Sequence, residues 1–440
     1  MTDDRSKLFD LAKEVLKTNN QGNYTVPAAG MYPHQWLWDS CFIAIGQRHY
    51  DIDRSKQEIL SLTRGQWANG MMPNMILKKQ GGRVKHGNVW RSWLNPNAPD
   101  GLVTSGITQP PMLAEAVVKI GEKLNRAEKH TWYRTMYPVI LSYHQWLYND
   151  RDPHNEGLVL QIHPWETGLD NTPPWVSLLL DHRLPLWISA VDKLKLEPLI
   201  NLLRRDTKFV HQSERLSTIE ALALFSVQRR LRRKNYDTSR ILSHSLFAIE
   251  DASYNAIFIR ANEHLQTIAK ALKKVLPDDL KEKIERSKSA YDQLWDQYSN
   301  QYYSREFVTH KLIKIPSIAT LMPLYSGVIS KERAEKLVKL ILDEHQFGTN
   351  YPIPTVPLSS EWFKARTYWQ GPSWVNTNWL IIDGLERYGY KEYAEAIRES
   401  TIEMVEKSGF YEYFSPIDGS PAGIANFSWS AALIIDMLNN

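Results

Sequence analysis

Asp4-Arg-Ser-Lys-Leu-Phe-Asp-Leu-Ala-Lys-Glu-Val-Leu-Lys17 decides the fold class. Leu8, Leu11, Val15 and Leu16 recur at helical spacing and form one apolar stripe on a charged segment, which predicts an amphipathic helix from about Asp4 to Lys17. The same period returns near 40–48, 53–68, 109–124, 130–149, 177–193, 195–204, 216–233, 251–274, 278–297, 331–343, 373–387, 390–407 and 427–438. Strand signals are few and short, Leu158-Val-Leu-Gln-Ile162 among them. Roughly a dozen helices joined by alternately short and long links predict antiparallel helix pairs. No unit recurs at a fixed period, which argues against an open solenoid. No low-complexity linker divides the chain, so a single domain over residues 1–440 is expected. Were the helices to close into a double ring, alternate loops would collect at one end.

The long connections 18–35, 69–108, 150–176, 300–316, 344–372 and 408–426 hold most of the Gly and Pro, and most of the aromatic motifs. Functional residues carried on loops above a rigid scaffold are the usual arrangement. Sixteen tryptophans stand out in the composition. Trp132, Trp146, Trp187 and Trp295 fall in helical patterns and read as core, whereas the others lie in or beside the motif segments. Flat aromatic walls with a few polar groups suit the apolar faces of a sugar ring.

The remaining bulk numbers exclude more than they assert. A net charge of +4, from 53 basic and 49 acidic side chains, is too balanced for a nucleic-acid partner. The basic run Arg229-Arg-Leu-Arg-Arg-Lys234 closes a predicted helix, where the helix dipole favours cations. Cys41 is the only cysteine and sits in an apolar run, so it reads as a small buried residue. The opening Met1-Thr-Asp-Asp-Arg-Ser-Lys7 has no apolar signal region, and no window approaches the ~18 apolar residues of a membrane span. A cytoplasmic protein with no membrane partner is expected. No dinucleotide fingerprint, phosphate loop, HExxH, GxSxG or metal-ligand spacing occurs, so neither cofactor nor metal is expected.

Six motifs carry candidate chemistry. Tyr32-Pro-His-Gln-Trp-Leu-Trp-Asp-Ser-Cys41 sets Asp39 after two tryptophans, either as a helix N-cap or as an acceptor for sugar hydroxyls between Trp36 and Trp38. Gly65-Gln-Trp-Ala-Asn-Gly-Met-Met-Pro-Asn74 reads chiefly as a turn. Ser105-Gly-Ile-Thr-Gln-Pro-Pro111 places Gln109 at the entry to a helix, facing the loops. His163-Pro-Trp-Glu-Thr-Gly-Leu-Asp-Asn-Thr172 offers two carboxyls, Glu166 and Asp170. Trp165 and Trp175 flank Asp170 and would desolvate it, raising its pKa; the competing reading is an Asx-turn aspartate. Tyr368-Trp-Gln-Gly-Pro-Ser-Trp-Val-Asn-Thr-Asn-Trp379 puts Trp369 and Gln370 just outside a helix that Gly371-Pro372 would start. Phe410-Tyr-Glu-Tyr-Phe414 buries Glu412 among aromatics, and a buried carboxylate is hydrogen-bonded or functional. Asp418, before Gly419, reads as a turn residue.

Taken in order, these motifs resemble glycoside hydrolase family 63, in particular its branch of mannosylglycerate and glucosylglycerate hydrolases. The resemblance runs from Tyr32 to about Leu438 and is carried by Trp38-Asp39, Gly168-Leu-Asp-Asn171, Trp369-Gln-Gly-Pro372, Glu412-Tyr-Phe414 and Phe427-Ser-Trp429, with weaker matches at Asp251-Ala-Ser-Tyr-Asn-Ala256 and Arg260-Ala-Asn262. It implies an all-α (α/α)6 barrel with long loops at the active face, and an inverting mechanism. It also implies that Asp170 is the general acid and Glu412 the general base. Tyr32, Trp36, Trp38, Asp39, Gln109, Trp165, Trp369, Gln370 and Trp374 would line the subsite of the cleaved sugar. Two departures stand out. Arg83-Val-Lys-His-Gly-Asn88 replaces a Tyr- and Pro-rich stretch, and Ser217-Thr-Ile-Glu-Ala-Leu-Ala-Leu-Phe-Ser226 contains no Arg where the branch tends to place one. An anionic leaving group calls for such a cation.

The reading implied is an exo-acting α-glycosidase for a small α-glucoside or α-mannoside, with glucosylglycerate and mannosylglycerate among the candidates. Its two carboxyls should stand roughly 6.5–9.5 Å apart, leaving room for a water. A non-catalytic sugar-binding protein on the same scaffold is one alternative, although both acids are present. A disaccharide phosphorylase is another, and it would need a phosphate site that Phe410–Phe414 does not supply.

Overall fold

The computed structural model describes residues 3–80, 83–182, 184–201, 204 and 206–439. Among them, six inner helices, Leu37–Gln47, Leu113–Glu122, Ala252–Ala271, Pro323–Ser326, Val375–Arg387 and Ser428–Met437, each pack against the next, and the last closes on the first. Six outer helices, Asp3–Thr18, Ile52–Thr63, Arg126–Arg151, Asp278–Ala290, Lys331–Leu342 and Lys391–Ser408, alternate with them along the chain and lie against the ring's outside. The result is an (α/α)6 barrel. Inner helices are apolar nearly all round, as a helix with neighbours on every side must be. Ser428–Met437 is buried at every position, while Lys331–Leu342 buries only Ala334, Leu337, Val338 and Ile341.

The first outer helix shows how the stripe works. Leu8, Ala12, Val15 and Leu16 are buried, whereas Leu11 is 50% exposed. At about 100° per residue, Ala12 falls inside the arc spanned by Leu8, Val15 and Leu16, and Leu11 lies off its edge. Other boundaries also differ from the expected ones. The segment 177–193 divides into Pro173–His182 and Leu186–Lys193, with Arg183 outside the described residues, and Trp187 is 46% exposed rather than core. Part of the segment expected near 195–204 also lies outside them, and the helix described there is Glu197–Asn201. Asp278–Ala290 gives way to a short 3-10 turn, so Trp295 stands on a two-residue strand. Leu158–Ile162 is no strand, although Gln161 forms an isolated bridge to Ile249.

Between the outer helix Arg126–Arg151 and the inner helix Ala252–Ala271 the chain inserts about a hundred residues. Within this insertion Thr218–Arg233 packs on Pro173–His182, Leu186–Lys193 and Glu197–Asn201, and also on the short helix Gly87–Trp90. Ser217 and Glu220 form a reciprocal capping box at its start. Near the C-terminus, Tyr411–Phe414 and Pro421–Ala425 form an antiparallel hairpin. One apolar core runs from Leu8 to Met437. No helix among the described residues is long and apolar enough to cross a membrane.

Ring closure depends on one small residue. A Cβ on Gly46 would collide with the backbone of Ala432, so only glycine lets the first and last inner helices approach this closely. Gly46→Ala is expected to destabilise the protein by about 1–3 kcal/mol through overpacking. Urea unfolding followed by circular dichroism checks this, and an unchanged midpoint would contradict it.

Candidate active site

Inner helices present their N-terminal ends to a single cavity. Trp36 and Asp39 flank the start of Leu37–Gln47, Gln109 precedes Leu113–Glu122, Trp369 precedes Val375–Arg387, and Phe427 and Trp429 begin Ser428–Met437. The cavity measures about 300 Å³. That is the low end for a small-molecule site. Tyr32, Trp36, Trp38, Asp39, Gln109, Trp165, Trp369, Asp170 and Glu412 all line it. Asp170 comes from the insertion and Glu412 from the C-terminal hairpin, so two distant loops bring the carboxyls into one compartment.

Two of the expected wall residues sit behind the surface. Trp374 stacks on Trp369 with ring centres 3.7 Å apart and planes 3° off parallel, and its indole N–H donates to the Tyr368 carbonyl. Gln370 donates to the Asn171 carbonyl (3.1 Å) and to Glu220 Oε1 (2.8 Å), tying the Asp170 loop to the Trp369 loop. Neither lines the cavity. Gly371-Pro372 starts no helix, because Ser373 exchanges backbone hydrogen bonds with Phe414 and delays the first turn to Val375. Asp39 is no N-cap either; it lies inside the first turn, after Trp36. Glu166 is fully committed elsewhere. It pairs with Arg151 (2.7 Å) and accepts from the backbone N–H groups of Ile162 and Thr108.

The wall is shaped by contact as well as composition. Gly168, at φ +76, lies against the Trp38 ring, where an added Cβ would come within 2.5 Å of it. Asn171 Oδ1 accepts from the Trp369 backbone N–H. The buried indole N–H groups of Trp36, Trp369 and Trp429 make no hydrogen bond among the described residues.

Arg215 escaped the sequence reading. It stands two residues before the capping-box serine, and its side chain enters the cavity. Its guanidinium bonds both oxygens of Glu412 (3.2 and 3.3 Å) and lies 4.0 Å from the centre of the Tyr368 ring. Tyr32 donates to Glu412 Oε1 (2.8 Å), and the Ile424 backbone N–H to Oε2 (3.3 Å). The Tyr368 hydroxyl donates to Asp170 Oδ2 (2.9 Å). Tyr368 holds an unusual backbone conformation, φ +38, of the kind that concentrates at functional sites.

These contacts treat the carboxyls differently. Burial pushes Asp170 up to about 7, with the Glu412 charge adding to the rise and Tyr368 and Arg215 opposing it. Burial also raises Glu412, but Arg215, Tyr32 and the Ile424 amide favour its charged form. Asp39 is pushed well above the usual carboxylate range by burial, and by the negative charges of Glu412 and Asp170.

A helical ring whose loops hold two carboxyls in a tryptophan-walled cavity is a glycoside hydrolase scaffold, and the chain is a glycoside hydrolase. Residues 32–430 match the model of the mannosylglycerate hydrolase MGH1-like glycoside hydrolase domain. The mannosylglycerate hydrolase of Thermus thermophilus is 36% identical over 96% of this chain and 99% of its own length. The glucosylglycerate hydrolase of Mycolicibacterium hassiacum is 29% identical, with 98% of both chains covered. A crystal structure of a family 63 mannosylglycerate hydrolase from Thermus thermophilus, in complex with Tris and D-glycerate, superposes with a TM-score of 0.86 at 35% identity, covering 98% of this chain and 99% of that one. The chain belongs to the mannosylglycerate hydrolase branch of glycoside hydrolase family 63.

The raised pKa of Asp170 has a stability consequence. Between about pH 4 and pH 7 the folded protein holds a proton there that the unfolded chain releases, so ionisation penalises the fold as pH rises. Asp170→Asn is therefore expected to be more stable than the parent above pH 7, with the advantage shrinking towards pH 4. Denaturant midpoints of both proteins across that range test it, and parallel curves would contradict it.

Proposed function

We propose that the protein is an inverting, exo-acting α-glycosidase in which Asp170 is the general acid and Glu412 the general base. The observation that carries this reading is that burial raises both carboxyls facing one cavity, while the Arg215 guanidinium bonds only Glu412. Asp170, pushed up to about 7, keeps its proton near neutrality. Tyr368 occupies its Oδ2, leaving Oδ1 to hold that proton for the glycosidic oxygen. Glu412 is paired with Arg215 and Tyr32, which favour the carboxylate a base requires. Water attacks the anomeric carbon and gives its proton to Glu412. The carbon–oxygen bond to the leaving group breaks as that oxygen takes the proton of Asp170. The sugar is released with inverted configuration.

Tyr32, Trp36, Trp38, Asp39, Gln109, Trp165 and Trp369 form the subsite of the cleaved sugar, and Trp374 and Gln370 support it from behind. The leaving group is a small hydroxy acid, so that mannosylglycerate and glucosylglycerate are the substrates, as in the names of the relatives. Arg215 supports this: the cation missing from 217–226 is supplied two residues earlier, at the cavity wall. The whole 440-residue chain acts as one catalytic domain in the cytoplasm, where a single buried thiol, Cys41, is at home.

Both α-conjugates of D-glycerate are expected to be cleaved, with the β-anomer of the free sugar appearing first by NMR. Initial release of the α-anomer would overturn the inverting mechanism. Activity is expected to fall along an alkaline limb near pH 7, as Asp170 loses its proton. Asp170→Asn and Glu412→Gln should each lower kcat by about 10²–10⁴-fold. On an aryl glycoside, whose leaving group needs no proton, Asp170→Asn should lose much less and Glu412→Gln just as much. Equal losses on both substrates would remove the acid role from Asp170.

A further inference from the structure

An amphipathic helix on a globular protein turns its apolar arc inwards, but one helix of the insertion is turned the other way. At about 100° per residue, Leu186, Trp187, Ala190, Val191 and Leu194 share an arc of about 140° on the helix Leu186–Lys193 and its C-cap. Ser189, Asp192 and Lys193 fall outside that arc, and so does Ile188, the one buried residue of the helix. Leu186 is 89% exposed, Leu194 67% and Trp187 46%. Thr218–Arg233 packs on this helix, and the apolar arc is the part left open.

The open surface continues along the chain. Leu196 is exposed, Leu199 is 64% exposed, and the short helix Glu197–Asn201 has no buried residue. A lone exposed leucine is ordinary. A run of large apolar side chains on one short segment is not, and a patch of that kind marks a surface that binds a partner.

The charges around the patch decide what covers it. Asp192, Lys193, Lys195 and Glu197 rim it with both signs, and none of these side chains has a charged partner among the described residues. An anionic lipid surface would call for a basic polar face. A second copy of this chain meets the patch with the same patch, so a rim that holds both signs can set acid against base across the contact.

We propose that the segment 186–201 is the contact surface of a symmetric homodimer, built on Leu186, Trp187, Leu194 and Leu199 and ringed by these four charges. It lies on the stretch of chain that joins Asp170 to Arg215. The association is independent of the reaction in the cavity.

Sedimentation velocity of the full chain, at micromolar concentration and above, tests it. The parent is expected to sediment as a dimer of 51.1 kDa chains. Leu186→Glu/Leu194→Glu, which changes two side chains already in solvent, is expected to weaken association by about 100-fold or more, with an unchanged circular dichroism spectrum. A second pair of variants reads the rim. Asp192→Lys/Glu197→Lys makes it basic, and Lys193→Glu/Lys195→Glu makes it acidic. Each is expected to be monomeric alone, and their equimolar mixture to form a heterodimer. A monomeric parent, an undiminished dimer in the leucine variant, or a mixture that fails to associate overturns the proposal. Two other occupants are read in the same variants. Cosedimentation of the parent with phosphatidylcholine–phosphatidylglycerol vesicles, lost in the leucine variant, would assign the face to lipid. A monomeric parent whose KM rises in the leucine variant would mean that the face closes on its own cavity. Either result overturns the dimer.

Discussion

Much of this site depends on one guanidinium. Arg215 is buried beside Glu412, stacked on Tyr368, and faced by the carboxyls of Asp170 and Asp39. Three acids in a cavity of about 300 Å³ could not all ionise without a counter-charge. Arg215 bonds Glu412 directly and reaches Asp170 only through space, so it favours the charged form of Glu412 by a hydrogen bond as well as by charge. Without it, burial would raise Glu412 further. The dipoles of the inner helices add to the effect, since several N-terminal ends face the same space.

That guanidinium is held from outside the cavity by its neighbour. Glu214 accepts from Arg366 and from the backbone N–H of Gly423, and its own carbonyl accepts from the Tyr413 hydroxyl and the Tyr368 amide. Arg366 in turn donates to Ser420 Oγ and the Pro421 carbonyl. Three segments far apart in sequence, the insertion, the loop before Val375 and the C-terminal hairpin, meet at one residue next to Arg215. The same insertion carries Asp170 and clamps the helix Gly87–Trp90. The barrel itself could tolerate a different insertion. The cavity could not, because Asp170, Arg215 and the helix Gly87–Trp90 are all positioned by it.

Legibility in the sequence followed periodicity. The outer helices and most inner ones were readable, since an element of ten residues or more repeats its apolar pattern several times. Pro323–Ser326 was invisible because a single turn has no period, yet it completes the inner ring. Leu11 was misplaced because spacing of three residues fits a helix face only at its edge. Asp170, Glu412 and most of the aromatic wall were legible as motifs, because a carboxylate surrounded by tryptophan and tyrosine contradicts ordinary surface chemistry. Arg215 was not. An arginine before a capping box looks like any solvated helix entry.

The misreading of Gln370 and Trp374 is instructive for the same reason. Both were expected at the sugar because motif residues around a catalytic loop are easily taken for ligands. In the folded chain Trp374 lies flat against Trp369, and Gln370 bridges Asn171 to Glu220. Either would be costly to change, but the cost passes through another side chain. Trp369 without its stacked neighbour could tilt, and Asp170 without the Gln370 bridge would lose its fixed distance from the Trp369 wall. A motif therefore marks a constellation rather than a contact surface. Within it, Trp36 and Trp369 line the cavity. The supporting residues are those whose polar atoms the protein itself uses.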